Sequence, residues 1–565
     1  MTVKAPDRRD RRGATARRVP VRLVERRIGL LFALFLGLLA LTALRATWLG
    51  TVKSGSLSER AVSQQIENLP VPARRGTIFD RHGVELAVSE DAVTAFANPF
   101  LIDDPAAVAA RLAPLVGRTE ADLLRRLSDR DAGFVYLRRK MDASVGEKIE
   151  RLEIEGIGTM TEPKRTYPQG HLASQVIGSV GTDNYGLAGL EHARNRELKG
   201  EDGERRLVKD ALGEPVSLVE VARAEAGEDL HLTLDAAIQE RTEAVLTEVG
   251  QTYQPAGATA VVMDPRTGEI LALANWPRVD ANDVGGAPAS ARRNRAIQTS
   301  YEPGSTFKAI TISGALEEKL VEPKTRLAVP ALLQVADRTI GEAHDGGGGN
   351  LTVAEIVARS SNVGSVMIGL KLGAERFDRW VRRFGFGRPT GIDLPGEQQG
   401  IVLRPDAYSG SSMGNMPIGQ GIAVTPIQMA AAYTAIANRG LLRRPYVVAG
   451  DRRPPRRVLS TRTAERISRM LEGVFAAGGT AQEAQVEGYR LAGKTGTAEK
   501  AENGGYSKTD FVASFIGYAP ARNPRLLVSV MVDEPRGQIY GGVVAAPAFE
   551  RIMEFALPYL KIPPQ

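Results

Sequence analysis

Ser305-Thr306-Phe307-Lys308 places a hydroxyl and an amine three residues apart, on one face of a helical turn. A serine hydroxyl is a poor nucleophile near neutral pH and needs a base within hydrogen-bond reach, so this spacing suits an activated serine. Pro303-Gly304 break the preceding chain, and Thr306 to Leu320 reads as a helix. Its N-terminal potential would favour an alkoxide developing at Ser305. Lys308 can act as the base only where its neutral form is accessible, which burial and nearby cations promote; Lys494 is expected to be one such cation.

Two further strings complete the set. Thr352-Val353-Ala354-Glu355 reads as a capping box opening a helix that delivers Ser360 and Asn362, of Ser360-Ser361-Asn362, near its far end. Ser360 would relay a proton between Lys308 or Lys494 and a leaving amine, and Asn362 would hydrogen-bond a substrate amide. Arg490 to Ala498 holds Lys494-Thr495-Gly496-Thr497 and reads as a strand in which Gly493 and Gly496 allow close backbone approach. An extended peptide would lie along that edge by strand addition. Lys494, Thr495 and Thr497 would then hold its terminal carboxylate. The backbone N–H groups of Ser305 and Thr497 are the expected oxyanion hole, each such donor being worth about 3–4 kcal/mol to a transition state.

Each string alone is weak; a lone Ser-x-x-Lys is more often a capping serine and a solvated lysine. Two other motifs compete. Gly488 to Thr495 matches the phosphate-loop pattern G-x-x-x-x-G-K-[ST], but Gln482 to Glu487 before it is mostly polar and Gly496 follows it, so the strand and helix that a phosphate loop requires are missing. Gly410-Ser411-Ser412-Met413-Gly414 matches a nucleophile elbow, yet it sits in a loop-like Gly/Ser/Met/Asn stretch. Of the five histidines (His82, His171, His192, His231 and His344), only His344 falls inside the catalytic stretch, which disfavours a Ser-His-Asp hydrolase.

These residues must be carried by a chain of 565, too long for one core. It has no cysteine, which excludes disulfides and thiolate metal sites. Its net charge of +7 is not a nucleic-acid signal. Residues 1–27 hold ten basic and three acidic groups, so ten minus three accounts for all of it. That basic tail abuts Ile28 to Leu44, an uncharged and mostly apolar run that Ala46 to Leu49 extends toward a bilayer span. The tail should stay cytoplasmic with Trp48 at the far interface, an uncleaved single-pass anchor that leaves the rest outside the cytoplasm. No later stretch approaches a second span.

Residues 50 to about 225 carry none of the catalytic strings. Short β-like pieces from Val71 to Gly83, helices at Pro105 to Leu127 and Ala143 to Leu152, and strands within Val208 to Val221 suggest a scaffold. A fresh domain begins near Gly227. Asp229 to Leu234 alternates like a strand, Asp235 can cap a helix, and Ala258 to Asp264 with Glu269 to Ala274 form a hairpin. Helices at Ser305, Thr352, Val363, Thr425 and Thr461, then strands at Lys494, Phe511 to Ala519 and Leu526 to Val532, predict a sheet backed by terminal helices with a large helical insert.

In this order and at this separation the three strings resemble the active site of the penicillin-binding proteins and serine β-lactamases. Arg75-Gly76 with Asp80-Arg81 and Gly83, Arg165 to Pro168, Gly186 to Glu191, Thr390 to Glu397, and Gly419-Gln420-Gly421 with Thr425-Pro426 extend the likeness to the class B members. Tyr301-Glu302-Pro303-Gly304 resembles the septal, FtsI-like branch.

The resemblance implies an α+β transpeptidase fold with a central antiparallel sheet over 227–565, a β-rich non-catalytic pedestal over 50–226, a transmembrane anchor at 28–49 and a basic cytoplasmic tail at 1–27, in the inner membrane. It implies a D-Ala-D-Ala transpeptidase that uses Ser305, Lys308, Ser360 and Lys494 in catalysis and Asn362, Thr495, Gly496 and Thr497 for substrate, with no metal or cofactor. Its partners would be peptidoglycan stem peptides, β-lactams and an FtsW-like glycosyltransferase with other division proteins, and not nucleic acid. An elongation-type enzyme, a DD-carboxypeptidase or β-lactamase of the same fold, and a non-catalytic divisome scaffold are the alternatives.

Overall fold

The computed structural model describes residues 21–53, 66–130, 132–209, 215–343, 348–502 and 505–564. The chain divides into two compact units, residues 1–71 with 203–223, and residues 72–202 with 224–565. In the first, Val21–Thr51 is one continuous helix. Its stretch Arg26–Thr51 is long and apolar enough to cross a membrane, the sole such helix among the described residues. The same unit holds a three-stranded antiparallel sheet in which Gly203–Lys209 lies between Ile66–Val71 and Pro215–Ala222.

The second unit begins with a small α+β layer. Glu85–Ala97 pairs with Val135–Met141 and with Ile157–Thr166. The expected helix at Pro105 to Leu127 is two helices, Pro105–Val116 and Glu120–Leu127, because Gly117 turns left-handed at the break and Thr119 caps the second. Buried charge ties this layer together. Glu191 accepts from Arg75 and, at 2.6 Å, from Arg165, while Arg75 also donates to Asn195 and to the Glu191 carbonyl. Gly76 carries no side chain because a Cβ there would meet the Glu228 carbonyl at 1.9 Å.

Asp80 joins this layer to the next segment. One of its oxygens accepts from the backbone of His82 and Val84, the other from Ala236 N at 3.0 Å. The expected strand at Asp229 to Leu234 shortens to Leu230–His231, parallel to Ile78–Phe79.

The site is positioned by a second α+β arrangement. Helix α1 (Ala236–Tyr253) is capped by Asp235 as expected. Strands β1 (Gly257–Met263) and β2 (Ile270–Trp276) form the predicted hairpin. Helices α2 (Lys308–Glu317), α3 (Asn362–Leu372) and α4 (Pro426–Ala437) follow. Then come β3 (Ala492–Glu502), β4 (Gly505–Ala519), β5 (Leu526–Asp533) and α5 (Ala546–Tyr559).

The sheet order is β2-β1-β5-β4-β3, antiparallel throughout, with β3 at an edge. Period-two alternation sends Ala260, Val262, Val528 and Val530 toward α1 and α5, and Val261, Met263, Leu527 and Met531 toward the core containing α2 and α4. Helix α2 is central because its run of small and apolar residues buries every position from Lys308 to Leu316. Gly314 within it makes room for Trp380, whose Cγ a Cβ would meet at 2.8 Å.

Candidate active site

The helix expected from Thr306 to Leu320 is shorter and has two parts. Gly304–Phe307 is a 3-10 turn, and the α-helix runs only from Lys308 to Glu317. Gly304 takes φ +52° and donates its N–H to the Gly419 carbonyl at 3.0 Å. A Cβ there would meet the Thr497 carbonyl at 2.9 Å, so the turn lies directly against β3. Ser305 is half-buried on this turn, and Thr306 Oγ1 donates to the Pro303 carbonyl at 2.7 Å. Just before it, Glu302 Oε1 accepts from Gly421 N at 3.0 Å and Tyr506 Oη at 3.3 Å, and burial pushes this carboxyl above its ordinary range.

Lys308 is buried, and its Nζ donates to the Ser360 carbonyl at 2.6 Å, Ser360 Oγ at 3.3 Å and Asn362 Oδ1 at 2.6 Å. Three acceptors match the three protons of an ammonium. Two of the sequence strings are therefore joined through one amine.

The capping box forms, with Thr352 and Glu355 bonding reciprocally, but its helix stops at Ala358. Ser360 then takes φ +60°, a left-handed conformation that costs a non-glycine residue about 1–3 kcal/mol and clusters at functional sites. Ser361 caps α3 by accepting from Gly364 N, which makes Asn362 the first residue of that helix. Ser360 and Asn362 thus sit in a turn between two helices, rather than at the far end of one.

Glu342 holds that turn. Its carboxylate accepts from Ser361 Oγ at 2.5 Å and Asn362 N at 2.6 Å, while Asn362 Nδ2 donates to the Gly341 carbonyl at 3.1 Å. Nothing in the local pattern around Glu342 marks it. His344, the histidine within the catalytic stretch, lies outside the described residues.

Lys494 is fully buried, and its Nζ donates to the Thr495 carbonyl at 3.2 Å. Gly496 brings the edge strand onto the nucleophile turn, since a Cβ would meet Ser514 Oγ at 2.4 Å, Thr306 Cγ2 at 2.9 Å and the Pro303 carbonyl at 3.0 Å. Thr495 is buried, its hydroxyl 2.7 Å from that of Thr480. Thr497 is half-buried and accepts from Gly541 N at 3.0 Å. Lys494 lies inside a regular strand, which a phosphate-loop lysine does not. Ser411 precedes, and Ser412 opens, a short helix, Ser412–Asn415, unlike a nucleophile elbow.

Burial lowers the Lys308 amine from an ordinary lysine value to about 7, opposed by the negative charge of Glu342. Lys494 is pushed well below the lysine range, by burial first and then by Lys308. Burial thus supplies the activation expected for Lys308, while Lys494, expected as a cation beside it, is itself pushed toward the neutral form. Near neutral pH the arrangement offers a serine at a helix start, a lysine close to its deprotonation point, a serine and an asparagine bonded to that lysine, and an edge strand beside the serine's turn.

Residues 258–554 match the penicillin binding protein transpeptidase domain family, and residues 70–232 match the penicillin-binding protein dimerisation domain family. The chain is similar to stage V sporulation protein D of Bacillus subtilis, 35% identical over 558 residues, covering 95% of this chain and 86% of that protein. It is likewise similar to the peptidoglycan D,D-transpeptidase FtsI of Escherichia coli K12, 31% identical over 547 residues, covering 94% and 92%. Among solved structures it is similar to penicillin binding protein 3 from Mycobacterium tuberculosis complexed with aztreonam, with a TM-score of 0.69 and 30% identity over 88% of this chain and 98% of that one.

Proposed function

The chain belongs to the class B penicillin-binding proteins, and from that membership we propose that it is a septal peptidoglycan D,D-transpeptidase working through an acyl-serine intermediate. The observation that carries this reading is the convergence of the three strings. Lys308 is bonded to Ser360 and Asn362, and the turn bearing Ser305 packs against the strand bearing Lys494.

A donor stem peptide ending in D-Ala-D-Ala would extend along the edge of β3. Its terminal carboxylate would meet Lys494, Thr495 and Thr497, and Asn362 would bond its amide. Ser305 Oγ forms a bond to the penultimate D-Ala carbonyl carbon and passes its proton to neutral Lys308. Ser305 N and Thr497 N stabilise the oxyanion. The C–N bond to the terminal D-Ala breaks as that nitrogen takes the proton through Ser360. An amine from a neighbouring stem then attacks the ester, loses its proton to Lys308, and restores Ser305. A β-lactam would enter as the donor does and leave a long-lived ester.

In this reading residues 28–49 anchor the chain in the inner membrane with the basic 1–27 tail inside. Residues 50–226 form the pedestal and 227–565 the transpeptidase domain. The anchor and pedestal would meet an FtsW-like glycosyltransferase and other division proteins.

The test is incubation of the full-length protein in detergent with a stem pentapeptide and an amine acceptor, followed by mass spectrometry. Release of D-alanine with a new cross-linked amide is expected. Conversion to free tetrapeptide alone would favour a carboxypeptidase, and rapid turnover of penicillin a β-lactamase.

A further inference from the structure

We infer that Tyr433 is a positioning residue for the nucleophile, its phenol gripping the carbonyl of Thr306 and so fixing the turn that aims Ser305. The inference rests on the acyl-serine reading above. Tyr433 lies on α4, is fully buried, and donates from its hydroxyl to the Thr306 carbonyl at 2.7 Å. Thr306 is the residue directly after the proposed nucleophile.

That carbonyl has a reason to need an outside donor. It lies where the 3-10 turn Gly304–Phe307 passes into the α-helix beginning at Lys308. Hydrogen bonds in 3-10 geometry are poorer than those of an α-helix, so such a turn holds its orientation less firmly by itself. Here it is held from several directions. The Gly304 N–H is bonded to the Gly419 carbonyl, Thr306 Oγ1 to the Pro303 carbonyl, and the Thr306 carbonyl to Tyr433. Of these, the last is a side-chain bond that reaches the turn from a distant helix.

The helix that carries Tyr433 is itself fixed. Thr425 and Gln428 form a reciprocal capping box at its start, and Gln428 Nε2 donates to the carbonyls of Arg388 and Gln399. The phenol therefore projects from a rigid base. Two groups of the proposed chemistry depend on the turn's orientation, Ser305 Oγ as attacking atom and Ser305 N–H as oxyanion donor. Displacing a reacting group by an ångström can cost on the order of a hundredfold in rate. Burial also holds the Tyr433 phenol protonated, so it stays a donor and exchanges no proton with substrate.

Stopped-flow acylation of the full-length protein by a fluorescent penicillin tests this, with the non-covalent dissociation constant and the acylation rate constant resolved separately. Tyr433→Phe should lower the acylation constant at least about tenfold. Non-covalent affinity should stay within about twofold and the pH midpoint should stay where Lys308 sets it. 3-Fluorotyrosine at 433 retains the donor and should restore the rate. Tyr518→Phe removes a buried hydroxyl of the same core that makes no hydrogen bond to the nucleophile turn, and should acylate like wild type. Wild-type acylation by Tyr433→Phe, or an equal loss in Tyr518→Phe, overturns the inference. An unreactive wild type overturns the acyl-serine reading and the inference with it.

Discussion

Two buried charge clusters in this molecule are built on opposite principles. In the pedestal layer, Glu191 lies between Arg75 and Arg165 and every charge faces its opposite. Around Ser305, Lys308 and Lys494 are buried side by side, and what Lys308 donates to is a carbonyl, a hydroxyl and an amide oxygen. A buried carboxylate bonded by two guanidinium groups ties elements together, whereas burial without a bonded counter-charge drives an amine toward its neutral form. The first cluster fixes structure, and the second stores a base. Both are buried and both use side chains far apart in sequence, so the difference lies in whether a carboxylate bonds the cation: Glu191 bonds both arginines, whereas Glu342 acts on Lys308 without an ion pair.

The comparison breaks most visibly if Lys308 proves dispensable. Lys308→Met keeps the volume and removes the amine; the acylation rate should fall by about 10²–10⁴. Thermal stability should hold or rise, because a desolvated amine has gone. Near-normal acylation would remove the base from the account.

Glu191→Gln tests the other cluster. Removing its charge leaves two arginines buried together, a loss of about 3–5 kcal/mol by chemical denaturation. Penicillin labelling per folded molecule should hardly change. A variant equally stable but slow to acylate would mean that the two clusters are coupled.

A pH series sharpens the contrast. Acylation should rise with pH through about 7, where Lys308 loses its proton. Glu342→Gln removes the charge that favours the ammonium, so the midpoint should move down. Stability should respond as well. The lowered folded-state value means that between about 7 and the ordinary lysine value of 10.5 the unfolded chain holds a proton that the folded one lacks. Stability should therefore rise with pH across that window through this group, and Lys308→Met should flatten the rise in paired melts.

The smallest effect belongs to an exposed pair. Arg151 and Glu147 are bonded at 3.0 Å but lie largely in solvent, and Glu147→Ala should cost no more than about 0.5 kcal/mol.

Much of this was legible in the sequence because it is local. The capping box at Thr352, the cap at Asp235, the hairpin after Gly257 and the edge strand at Lys494 are each written within twenty consecutive residues. The left-handed turn at Ser360 was not, because serine carries no conformational signal for it. Glu342, Tyr433 and Thr480 were missed for another reason. Their partners Asn362, Thr306 and Thr495 are 20, 127 and 15 residues away, and only the folded chain brings them together. The helix predicted through Leu320 overran because periodicity does not distinguish a 3-10 entry or a frayed exit from α-helix.

The measurement closest to the centre of the account is intact-mass analysis of the full-length protein after penicillin treatment, wild type beside Ser305→Ala, at pH 6 and pH 8. One stable adduct per chain, forming faster at pH 8 and absent from Ser305→Ala, is the predicted result. An adduct that persists in Ser305→Ala, or a folded wild type that forms none, would contradict the assignment of Ser305 as a nucleophile served by a neutral buried lysine.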